Sequence, residues 1–208
     1  MNKSMTKILS LVLAVCFCLS MSAFAAEIDT SGGSGNTPVN LTTTNGGLDE
    51  NGNPTGEAAP TKLSVVVPTA LPMAMSEDGD VMTATNCKIV NNSYGAVRVK
   101  SVNISAASDW HLTTFGDKST LAAEKVDSNK LGFAMSIGGG AQVKTSTDDE
   151  SQMLITAPIE GCYMTGTGDT AKNFADIAYS AIVTPLSDAV ENSTIANVVF
   201  VIEWDTVA

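Results

Sequence analysis

The sequence predicts an all-β fold, a single antiparallel β-sandwich built from residues 61–208. Three observations carry that prediction. From Lys62 onward, short runs of β-branched and apolar residues alternate with small or polar ones at a period of two, which places every second side chain on one face of a strand. Clusters of Gly, Asn, Asp and Ser separate those runs, as turns between strands require. Helical periodicity is scarce: only STLAAEKV (119–126) has the pattern of two helical turns, with Ser119 as its cap. A segment of this length can bury a true core.

The elements follow in order. Leu63, Val65 and Val67 share one face, and Pro68 ends that strand or confines it to an edge. The apolar runs LPMAM (71–75) and VMTAT (81–85) flank Ser76-Glu77-Asp78-Gly79-Asp80. Asp-Gly between two such runs is a hairpin signal. The carboxylates of Glu77, Asp78 and Asp80 are also oxygen ligands of the kind calcium takes, so the stretch reads as a turn or a calcium site. The turn is favoured, because an EF-hand loop needs Gly at its sixth and Glu at its twelfth position and the pattern is absent. Asp49-x-Asn51-x-Asn53 has ligand spacing but runs into Pro54 and Pro60, and TDDES (147–151) reads as a solvated loop.

In AVRVKSVNIS (96–105), Val97 and Val99 fall on one parity and Val102 and Ile104 on the other, so a β-bulge is predicted near Lys100 and Ser101. Leu131, Phe133, Met135 and Ile137 alternate strictly, and Gly138–Gly140 marks a loop. Ile177, Tyr179, Ala181 and Val183 repeat the pattern. The final run, NVVFVIEWDTV, is apolar on both parities from Val198 to Ile202, which predicts a central strand covered on both sides.

Before the sandwich, residues 1–25 read as an export signal. Lys3 and Lys7 precede the apolar run ILSLVLAVCFCLSM (8–21), and Ala23-Phe24-Ala25 supplies the small-x-small cleavage site. The run is short of the roughly 20 residues a membrane span needs. Val15 and the early Cys16 fit a lipoprotein signal poorly. Residues 26–60 hold seven glycines between Glu27 and Pro60 and almost no large apolar side chains. Such a segment cannot bury enough surface to offset its ordering entropy, and it reads as a flexible Gly/Asn/Thr-rich linker. Within it, Val39-Asn40-Leu41-Thr42 alternates like a short strand and is a strand-donor candidate.

Charge excludes several partners. The chain has 11 Lys and Arg against 22 Asp and Glu, a net −11, and losing the two signal lysines with no acids takes this to −13. Such a surface repels phosphate backbones and anionic lipid, so neither nucleic acid nor membrane is an expected partner. No sorting signal for covalent wall attachment is encoded, and the chain is expected to be secreted, extracellular or wall-associated by non-covalent contacts.

Catalysis is not expected. The one histidine, His111, lies between Trp110 and Leu112, which point together, so His111 faces the opposite side. No Gly-x-Ser-x-Gly elbow presents a nucleophile, and a zinc site needs three or four ligands that one histidine and two separated cysteines do not make. Glycoside chemistry by paired carboxylates requires an aromatic-lined cleft, and 5% of the residues are aromatic. No cofactor is expected apart from the calcium alternative. After signal removal Cys87 and Cys162 remain: either a disulfide contributing about 4 kcal/mol by loop closure or two buried thiols. The Asn-x-Ser/Thr sites at Asn40, Asn91, Asn103 and Asn192 read as ordinary loop and strand-edge residues.

Three stretches carry a resemblance: VVVPTALPMAMSEDGDVMTATNCKIVNNSYGAVRVKSVNI (65–104), SDWHL (108–112) and STIANVVFVIEWD (193–205). Together they resemble exported β-sandwich proteins of Gram-positive bacteria, mostly of unknown function, with looser similarity to the WxL cell-wall-binding domain. The resemblance implies an Ig-like or WxL-like sandwich. Trp110-His111-Leu112 matches the first Trp-x-Leu motif and becomes a wall-binding candidate, whereas Trp204-Asp205-Thr206 has Thr where the second motif has Leu. Both tryptophans also suit core packing. The expected function is a secreted, non-enzymatic surface or matrix structural protein acting by self-association or display. The alternative is a non-covalent peptidoglycan-binding module. Its partners would be itself, other surface proteins or peptidoglycan.

Overall fold

The structure is a computed structural model that describes residues 39 and 41–206. The predicted signal peptide, the first part of the linker and Asn40 lie outside the described residues. The chain divides into two compact units between Pro60 and Thr61.

In the first unit, residues expected to form an open linker make a narrow hydrogen-bonded hairpin instead. Asn45 N–H donates to the Glu57 carbonyl at 3.0 Å, Thr55 N–H donates to the Gly47 carbonyl at 2.8 Å, and Leu48 bridges to Pro54. The Asp49 carboxylate closes the tip by accepting from the Asn51 and Asn53 amides at 2.9 and 2.8 Å. Those bonds hold its pKa below the ordinary value, the Asn53 amide foremost. The apolar side chains stay exposed, Leu48 among them. Composition carries no sign of this polar ladder.

The second unit is all-β. Its strands are β1 (Val65–Val66), β2 (Met73–Met75), β3 (Val81–Thr83), β4 (Lys88–Asn91), β5 (Val97–Ala106), β6 (His111–Thr113), β7 (Lys130–Ile137), β8 (Val143–Lys144), β9 (Ser151–Ile155), β10 (Tyr163–Met164), β11 (Phe174–Val183) and β12 (Ala196–Trp204). One sheet runs β1-β4-β11-β7-β6, with β8 also on β7. A second runs β10-β5-β12, with β9 also on β5, and β2–β3 is a separate hairpin. Every pair is antiparallel except β6–β7. That exception is possible because the connection 114–129 is long enough for a crossover. It contains the one described helix, α1 (Lys118–Ala122), which begins after Asp117 and not at Ser119 as predicted.

Both sheets turn their alternate side chains into one core. Ile89, Leu131, Phe133, Met135, Ile137 and Ile177 enter from the first sheet, and Val97, Val99, Val102 and Ile104 from the second. The bulge predicted near Lys100 and Ser101 is present: Val201 pairs with Ser101 and Ile202 with Val99, so Lys100 is the extra residue. Without it, the two halves of β5 would bury opposite parities.

Two polar knots fix the loops. The Asn91 side chain is wholly buried, donating to the Gly95 and Thr165 carbonyls at 2.9 and 2.8 Å and accepting from the Ser93 amide at 2.9 Å. The Tyr179 hydroxyl donates to the Pro72 carbonyl at 2.5 Å and accepts from the Ala84 amide at 3.2 Å, which pins both ends of the β2–β3 hairpin to β11. Burial raises the pKa of this phenol.

The prediction for the last strand is corrected. β12 pairs with β5 along its whole length, and among the described residues no strand pairs with its other side. It is an edge strand. Val198, Phe200, Ile202 and Trp204 pack against the core, while Val199 and Val201, 54% and 42% exposed, face outward. Apolar character on both parities therefore reflects one buried face and one uncovered apolar face.

Candidate interaction edge

The β12 edge is built by its register with β5. Asp205 N–H donates to the Ala96 carbonyl at 3.0 Å, and Ala107 N–H donates to the Ile195 carbonyl at 2.9 Å. With Val199 opposite Asn103 and Val201 opposite Ser101, the odd-numbered residues spend their backbone groups on β5. In an antiparallel ladder the alternate residues point theirs the other way. Ala196, Val198, Phe200, Ile202 and Trp204 thus turn N–H and C=O groups outward. β12 is nine residues long, without Pro and with one charged residue, Glu203.

Natural edges carry devices that prevent strand pairing: shortness, Pro, lysines or inward charges. The first sheet has them. Its edge strand β1 is two residues long and is followed by Pro68, and the opposite edge is made of the short β6 and β8. β12 has none of these along residues 196–202. Its one acid is neutralised. The Arg98 guanidinium lies 2.9 Å from Glu203 Oε1, and Lys100 Nζ lies 3.0 Å from Oε2. Arg98 also lies 3.7 Å from Asp205. The hydrogen bond from Lys100 lowers the Glu203 pKa most; burial opposes it, and the hydrogen bond from Arg98 with the charges of both bases keeps the net pKa below its ordinary value.

The structure places the other sequence-predicted residues as follows. Glu77, Asp78 and Asp80 lie in the β2–β3 turn, where Gly79 takes a φ of +76°. Lys118 Nζ sits 2.6 Å from Asp80 Oδ1 and 2.9 Å from the Asp78 carbonyl, which places a cation on one of the candidate carboxylates. Among the described residues no three His, Cys, Asp or Glu side chains group as metal ligands. The turn reading accounts for this geometry. In the TDDES loop, Asp148 accepts from the Thr113 hydroxyl and Asp149 from the Thr147 hydroxyl.

Cys87 and Cys162 are unbridged and buried in this structure. The Cys87 carbonyl accepts from Ile177 of the first sheet, and the Cys162 carbonyl accepts from Val99 of the second. Burial pushes the Cys162 thiol pKa up. Of the strand-donor segment, Val39, Leu41 and Thr42 are outside any strand, with Val39 and Leu41 exposed.

Trp110 is half-buried against the core, His111 is exposed and Leu112 is buried. Trp204 packs over Gly95, where an added Cβ would lie 3.0 Å from its ring. The two tryptophans occupy opposite ends of β5, since Trp204 pairs with Val97 and Trp110 follows the turn after Ala106. A ten-residue strand spans roughly 30 Å, so they do not make one site. A shallow depression lies near Tyr163, Lys172, Phe174 and Asp205.

The exposed pair Val199 and Val201 and the buried Asn91 were missed by sequence reasoning. Hydrophobic pattern alone does not separate an uncovered apolar face from a covered one, and Asn91 in KIVNN resembles any turn asparagine. No described helix is long and apolar enough to cross a membrane. No protein-family profile, curated protein or solved structure matches this chain.

Proposed function

We propose that this chain is a secreted, non-enzymatic structural protein of the bacterial cell surface or extracellular matrix that acts by self-association or display. The observation that supports it most is the unprotected, apolar, nine-residue β12 edge. Such an edge in an unassembled protein is an aggregation hazard, and strand addition is the ordinary way it is satisfied. The acidic surface keeps copies apart elsewhere, so contact is directed to the locally neutral strand.

The test is the molar mass of the secreted chain, from residue 26 or 27 onward, measured by light scattering across a concentration series. Self-association predicts a mass above the monomer that grows with concentration. A monomer at every concentration up to about 100 μM would remove the self-association reading.

A second reading, a peptidoglycan-binding module, draws on the exposed His111 beside the half-buried Trp110. It predicts retention of the protein on purified cell wall and loss of that retention in Trp110→Ala and His111→Ala. Equal retention of both variants would dismiss it.

A further inference from the structure

We propose that the β12 edge pairs with β12 of a second copy, antiparallel, about a two-fold axis through Phe200. This rests on the self-association reading and names its surface. Three observations carry it. The first is the outward row of backbone groups at Ala196, Val198, Phe200, Ile202 and Trp204, which follows from the register with β5. In the paired arrangement these residues face their counterparts, Phe200 opposite Phe200, Val198 opposite Ile202 and Ala196 opposite Trp204. Each then gains the hydrogen-bond partners its edge lacks.

The second is the sequence of the strand, ANVVFVIEW, which is nearly palindromic about Phe200. Position for position it sets Val against Ile, Val against Val, and Asn against Glu, with small Ala against large Trp at the ends. A two-fold interface must be self-complementary, because the same patch serves both copies. On the outer face Val199 meets Val201 of the second copy, so both exposed valines become cross-strand partners. Glu203 meets Asn197 and no like charge.

The third is electrostatic. Glu203 and Asp205 are already paired with Arg98 and Lys100, so an acidic chain approaches its twin here across a neutral strand. The other available occupant, Val39–Thr42, is four residues and covers less than half of a nine-residue edge.

The experiment uses the secreted chain with three changes. V199K/V201K sets lysines opposite lysines in the paired arrangement while altering only exposed side chains, and its thermal melt checks folding. The expected result is a folded variant with about half the molar mass of the wild type. V199C and V201C form the second arm: mixed under mild oxidation they give a disulfide-linked dimer, and each alone does not. That register-specific bond follows because the two positions form a close, non-hydrogen-bonded pair.

If the wild type associates but V199K/V201K associates equally and the mixed cysteines stay unlinked, the β12 pairing is overturned and self-association stands on another surface. Deletion of residues 27–60 then shows whether the leader supplies it. If the wild type is monomeric throughout, both the pairing and the self-association reading fall.

Discussion

Asn91 shows how one residue in a turn-like sequence can govern a fold. Its amide joins the end of β4 to the entry of β5 and to the 165 loop, with the bond from Ser93 buried and the two to carbonyls part-buried. Asn91→Ala would strand the buried Ser93 amide, at a cost of about 1–3 kcal/mol, and two part-buried carbonyls that water can reach at a smaller cost. We expect a loss of roughly 2–4 kcal/mol in urea unfolding. A loss below about 1 kcal/mol would mean water replaces the side chain. Tyr179→Phe removes the hydroxyl that holds Pro72 and Ala84, and a loss of about 1–2 kcal/mol is expected, with the β2–β3 hairpin exchanging its amides faster. Glu203 sets an acid-side dependence. Its folded pKa lies below its ordinary 4.5, so its contribution is complete above that pH and is lost as pH falls through the lowered value. Asp127, held low by the Ser187 hydroxyl and amide, acts in the same direction. Melting temperature should fall on acidification below about pH 4.5, with a shallower slope in Glu203→Gln. An unchanged slope would mean that the Arg98–Lys100 cluster contributes nothing.

At the scale of elements, the hairpin and the bulge were legible because each leaves a local mark. Asp78-Gly79 between apolar runs demands a turn, and a parity switch between Val99 and Val102 demands an inserted residue. Both marks follow from a two-residue period. What covers a strand leaves no such mark. β12 read as central because its outer valines are as apolar as its inner ones, and only the sheet order makes it an edge. The calcium alternative turns on a contact that leaves no local mark either. The carboxylates near Gly79 are local, but Lys118 arrives from a distant helix. With the Lys118 amine on Asp80, millimolar calcium should leave the thermal melt within about 1 °C of the chelator control, and a rise of several degrees would establish the calcium site. The hairpin of residues 43–59 escaped notice because polar side chains and backbone hold it, with no apolar pattern to read.

At the scale of the whole molecule, the all-β class followed from alternation repeated along one compact unit, and the two-sheet core agrees with it. The pairing order did not, because short strands of similar composition can be arranged in many ways. An acidic chain with one apolar edge makes a definite physical claim: repulsion over most of the surface and attraction along a single strand. The measurement closest to that claim is amide hydrogen exchange along β12 at low and high protein concentration. The odd-numbered amides, Val199 and Val201, bond to β5 and should be protected at both. The even-numbered amides, Val198, Phe200 and Ile202, should exchange rapidly when dilute and become protected when concentrated. Even-numbered amides that stay unprotected at every concentration would contradict strand pairing at this edge.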